Sequence, residues 1–165
     1  MLRTCLCGIL QTIHKHFPLE SLASSIPSLS TIRSADISAA VKVSQCLPYT
    51  FSFAPEIPVV PLRLISTIQT SIGPWYRRAL YLEGLGTDRP LADEEARHLD
   101  QACRMQDFIV EMGNRVNDLW GIERVGKVIL QAVADVMAGG ALPEWLPRKI
   151  RFQEVDGELM MRVEY

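Results

Sequence analysis

The sequence predicts a mainly α protein: an antiparallel helical pair or small bundle with a C-terminal β-hairpin, preceded by a poorly ordered leader. Three observations carry this. Apolar residues recur at helical spacing between Leu91 and Met137, the pattern changes to period-two alternation from Ile150, and the N-terminal part is acid-poor and serine-rich. Across 165 residues, 48% apolar and 22% charged composition suits a folded chain. A net charge of −2 offers no broad basic field to a polyanion, so nucleic acid is not an expected partner.

The charge is uneven. Residues 1–71 hold three acids (Glu20, Asp36, Glu56), five bases and eleven serines, which leaves sixteen acids and twelve bases for the remainder. The chain therefore divides into a leader and linker over 1–60 and a helical domain with a terminal hairpin over 61–165. In the leader, Leu2, Leu6, Leu10, Ile13 and Phe17 share one side of a helix, and Arg3 and Lys15 add positive charge. This is the pattern of an organelle transit peptide, with Arg33-Ser34-Ala35 as the processing region. It implies a mitochondrial or plastid location. The alternative is an ordinary first helix of the domain, with a serine-rich loop after it, in a cytoplasmic protein. No stretch approaches the roughly 20 apolar residues of a membrane-spanning helix. Prolines at 48, 55, 58 and 61 predict an extended linker, because each fixes its backbone and lacks an amide donor.

Leu62, Ile65, Ile68 and Ile72 suggest a short helix ending at Gly73-Pro74. Trp75 to Leu82 suggests a second, closed by Gly84-Leu-Gly86. From Leu91 to Trp120 the apolar arc is Leu91, Ala102, Met105, Ile109, Met112, Val116 and Trp120. Opposite it lie acid-to-base pairs four apart, Asp93 with Arg97, Asp100 with Arg104 and Glu111 with Arg115, each contributing about 0.2–0.5 kcal/mol. Asp93-Glu94-Glu95 opens the helix, where its dipole favours negative charge. Gly121 breaks it, and Ile122, Val125, Ile129, Val133, Val136 and Met137 form a second stripe that ends at Gly139-Gly140. The two stripes predict the antiparallel pair. Ile150 and Phe152, the turn Asp156-Gly157, then Leu159, Met161 and Val163 predict the hairpin, with Leu142 to Pro147 as connector.

Catalytic and cofactor motifs are weak. Cys5-x-Cys7 and His14-x-His16 have zinc-binding atom types at the wrong spacing, and Cys46 and Cys103 stand alone. Gly84-x-Gly86 lacks the third glycine of a dinucleotide fingerprint. Glu95-x-x-His98 is half of a di-iron ligand set. No cofactor and no metal are expected. The run Ile109-x-x-Met112-Gly113-Asn114-x-Val116 loosely resembles the groove-inserting helix of death regulators, with asparagine where that pattern has aspartate; core packing explains the same residues.

The expected function is that of a non-catalytic helical adaptor, assembly factor or structural subunit acting through protein contacts, with a protein partner or a second copy of itself. Candidate contact residues are Trp75, Ile109, Met112, Val116, Trp120 and Trp145. Two alternatives are a small enzyme assembled around His98, Glu95 and Cys103, and a nucleic-acid module using Trp75, Arg77 and Arg78.

Overall fold

The computed structural model of the chain describes residues 2–17, 26–52, 67–68, 70–141, 143–144, 149–155 and 158–164, with side chains described up to Glu144. Among the described residues five helices have defined bounds, α1 Leu2–His16, α2 Leu29–Ser52, α3 Ile72–Asp88, α4 Asp93–Leu119 and α5 Lys127–Met137, and residues 67, 68 and 70 are helical as well. Strands β1 Lys149–Val155 and β2 Glu158–Glu164 follow, pairing antiparallel with Ile150 beside Val163 and Phe152 beside Met161.

The core explains why these segments are helices. Trp75, Ile72 and Ala79 of α3 meet Ala102, Ile109 and Val116 of α4, with Ala40 and Leu47 added from α2 and Leu130 and Ala134 from α5. α3 and α4 are joined by only Arg89–Ala92, so they run back along one another. Trp75 accordingly lies by Met105 and Phe108, while Leu82 and Leu85 lie by Glu95 and His98. Gly113 leaves room for Ile68, whose methyl would stand 3.8 Å from an added Cβ.

The expected fold class is corrected. The packed unit is an all-helical bundle rather than a helical pair completed by a hairpin and preceded by a poorly ordered leader. The principal antiparallel neighbours are α3 and α4, and α1 packs along α2. β1 and β2 pair with each other, and the bundle closes by helix-on-helix packing. The expected apolar face of that hairpin, its Asp156-Gly157 turn, Trp145 and prolines 55, 58 and 61 lie outside the described residues.

Two local readings also change. Pro48 sits inside α2 rather than in a linker, although it cannot donate to the Ser44 carbonyl. Residues 67, 68 and 70 are helical and stop at the Ser71 turn, so the expected short helix ends just ahead of Gly73-Pro74. That dipeptide lies in the first turn of α3, where amide donors have no intrahelical partner and proline loses nothing. α3 then continues through Gly84 and Gly86 to Asp88.

Helix ends depend on glycine where φ is positive. At the end of α4, Ile122 N–H donates to Asn117 O (2.9 Å) and Gly121 N–H to Asp118 O (3.3 Å), with Gly121 at φ 64°. α5 repeats the arrangement: Gly140 N–H donates to Asp135 O (2.8 Å) and Gly139 N–H to Val136 O (3.0 Å), with Gly139 at φ 90°. Both are Schellman closures, which satisfy carbonyls that the helix leaves free.

Glycine-to-alanine changes therefore have opposite signs at two sites. Gly121→Ala forces a side chain into the left-handed region and is expected to cost about 1 kcal/mol. Gly84→Ala sits mid-helix, where an added Cβ meets nothing within 4 Å, and should stabilise; the gain expected is roughly 0.5–1 kcal/mol. Urea denaturation of the two variants checks the signs.

Candidate functional site

α2 places a carboxylate in its buried stripe. Ile32, Asp36, Ala40, Ser44 and Leu47 all face inward, and Asp36 is 2% exposed. A charge so buried requires a partner, and α3 supplies Arg77. Arg77 donates from Nε to Asp36 Oδ2 (3.0 Å) and from Nη2 to Asp36 Oδ1 (3.1 Å). Its Nη2 also donates to the Thr4 carbonyl of α1 (3.1 Å), and Gln11 Nε2 donates to Asp36 Oδ2 (2.9 Å). Burial pushes the Asp36 carboxyl above its ordinary range, opposed by the Arg77 charge and by hydrogen bonds from Arg77 and Gln11.

Two glycines make room for that guanidinium. A Cβ on Gly8 would stand 2.9 Å from Arg77 Nη1, and one on Gly73 would stand 3.0 Å from the same atom. Gly8 would also meet Ala138 at 3.0 Å, so α1, α3 and the end of α5 converge there. Tyr76 adds a second tie between α3 and α5, its hydroxyl donating to Asp135 Oδ2 at 3.2 Å.

Above this cluster lies a half-open cavity of about 400 Å³ between α2, α3 and α4. Gln11, Arg33, Ser34, Asp36, Arg77, Arg78, Glu95 and His98 contribute its polar lining, and Ile37, Pro74, Tyr81, Leu82 and Leu85 its apolar walls. Arg33 lies over the Tyr81 ring, its guanidinium carbon 3.7 Å from the centroid. Glu95 is clamped. Arg89 donates to it twice (2.7 and 2.6 Å) and the Ala92 amide once (2.8 Å), which holds its carboxyl down at about 2. The folded value lies below the unfolded one, so this group supports the fold above its ordinary pKa and loses that support as pH falls towards about 2. At neutral pH Glu95 is ionised and a poor proton carrier.

The anticipated residues separate into several places. Trp75, Ile109, Met112 and Val116 come together in the core, at 1%, 0%, 6% and 0% exposure. Trp120 stands at the surface at the end of α4, and Trp145 lies outside the described residues. Asn114, the residue in the aspartate position of the death-regulator pattern, is also turned inward. It donates to Val125 O (3.1 Å) and accepts from Val125 N–H (2.7 Å), while Asn117 donates to Glu123 O (3.0 Å). These bonds staple residues 122–126 back along α4.

Glu95 and His98 do meet at the cavity, whereas Cys103 does not line it. Arg77 and Arg78 both line the cavity, the first bound to Asp36 and the second with no carboxylate partner among the described residues. Of the N-terminal metal candidates, Cys7 is buried and His14 Nε2 lies 3.0 Å from Pro27 O; among the described residues no three His, Cys, Asp or Glu side chains converge. Asp36 and Tyr81 were not singled out from the sequence. The available signal for Asp36 was an acid four residues from both Ile32 and Ala40 in a helix otherwise free of acids. Comparison with known protein families, curated proteins and solved structures finds no match for this chain.

Removing one partner of a buried ion pair leaves the other charge unpaired. Asp36→Asn is expected to cost about 3–5 kcal/mol, whereas Asp36→Leu combined with Arg77→Met should recover at least half of that loss. Equilibrium unfolding of the single and double variants checks this, and strictly additive losses would show the two side chains to be uncoupled.

Proposed function

We propose that this chain is a non-catalytic helical adaptor, assembly factor or structural subunit that binds a protein partner or a second copy of itself. The observation that supports the reading is a set of exposed large apolar side chains between Leu119 and Met137. Leu119 is 60% exposed and Val128 67%, and Trp120, Ile122, Ile129 and Met137 are also open to solvent. Single exposed apolar residues are ordinary, whereas several within one stretch support the reading of a contact surface. α5 needs only Leu130 and Ala134 to seal its buried side, so Val128 and Ile129 are surplus to folding. Tryptophan at such a surface adds a large, rigid anchor. The polar residues favour binding over proton transfer, since Glu95 is clamped ionised by Arg89 and Asp36 is tied to Arg77.

The organellar reading of the N-terminus carries a structural cost. Processing near Arg33 would remove α1, and with it the Thr4 and Gln11 contacts to the Arg77–Asp36 pair. The working form we propose therefore retains α1.

Affinity purification of the C-terminally tagged chain from its native cells, with light scattering and intact mass, tests the proposal. Wild type is expected to recover a partner at fixed stoichiometry, or to self-associate, with α1 intact. Trp120→Glu combined with Val128→Glu should lower that association by at least about tenfold with Tm and helical content unchanged. A wild-type monomer alone, or association indifferent to the double substitution, contradicts it.

A further inference from the structure

The charges around the cavity do not balance. Arg77 is neutralised by Asp36, and Glu95 is neutralised by Arg89. Arg33 and Arg78 remain. Among the described residues the buried Arg33 Nε–H has no acceptor, and its guanidinium carbon lies over the Tyr81 ring. Arg78 is half-buried, and among the described residues no carboxylate pairs with it or with Arg33. Burial alone acts on Arg78, lowering its pKa. Partly desolvated cations without counter-charges are costly to keep, and an anion entering between them offsets that cost.

We propose that the cavity between α2, α3 and α4 binds a small organic anion, a carboxylate or phosphate monoester carried on an apolar body, held by Arg33 and Arg78. The volume of about 400 Å³ falls in the range of small-ligand sites. The planar guanidiniums present paired N–H donors that match carboxylate and phosphate oxygens, and Arg33 is already held by its cation–π contact with Tyr81. His98 on α4 adds an imidazole to the lining, and Ile37, Leu82 and Leu85 provide the walls an apolar body would cover. A polyanion is a poorer fit, because the outer face of α4 beside the cavity carries Asp93, Glu94 and Asp100. This site lies on a different part of the bundle from the apolar surface between Leu119 and Met137, so either proposal can fail without the other.

Titration of the full chain with phenyl phosphate, phenylacetate and the neutral benzyl alcohol, followed by calorimetry and by NMR of the arginine Nε–H groups, tests the proposal. At least one anionic probe is expected to bind with millimolar or tighter affinity and to shift the Arg33 Nε–H signal. Benzyl alcohol should bind at least about tenfold more weakly, and Arg33→Met and Arg78→Met should each weaken the anion by about tenfold or more. Both substitutions retain the aliphatic stem and remove an unpaired cation, so Tm should hold or rise. No anion binding, equal binding of benzyl alcohol, or binding unchanged in both arginine variants overturns the proposal. If one variant fails to fold, the other alone decides it.

Discussion

A single buried contact carries the architecture: the Arg77 guanidinium held by Asp36 and the Thr4 carbonyl, with Gln11 completing the carboxylate. It joins α1, α2 and α3, and Gly8 and Gly73 allow the approach. A buried pair adds little net stability over an apolar pair of the same shape, but it tolerates few alternatives, because any other register strands a charge. Its effect is on which helices meet and where along their length.

The cavity follows from that constraint. With Arg77 turned towards Asp36, its neighbour Arg78 faces the opening between α2, α3 and α4. Glu95, the acid that α4 brings to the same cavity, is held by Arg89 and by the Ala92 amide at the start of α4. At the other end of α4, Asn114 and Asn117 spend their amides on residues 122–126, which sets where α5 begins and leaves Val128 and Ile129 outward. Helix closure and surface exposure at that end have the same origin.

The C-terminal helices were legible because their signals are local. The apolar arc of α4 recurs at helical spacing, and Gly121 and Gly139 sit where left-handed backbone closes a helix. Two of the three expected acid-to-base pairs form on the outer face, Asp100 with Arg104 and Glu111 with Arg115, while Arg97 donates instead to the Asp93 carbonyl. α2 was not legible. Its inward stripe mixes Ala40, Ser44 and a carboxylate with Ile32 and Leu47, small and polar residues that read as a loop until a partner cation 41 positions away explains them. The cavity was invisible for the same reason, since Arg33 and Arg78 come to line it only through tertiary packing. Trp75 and Ile109 show the converse: large apolar residues flagged as contacts prove to be core, because a stripe cannot say what covers it.

The central claim is that α1 and α2 belong to the same cooperative unit as α3 and α4, joined through Arg77. Native-state hydrogen exchange measures this directly. The account predicts that amides in the middle of α2, around Ala40, exchange with the same opening free energy as those of α4 around Ile109, and that this equality is lost in Arg77→Met. Exchange of α2 at a much lower free energy than α4 in the unaltered chain would contradict it.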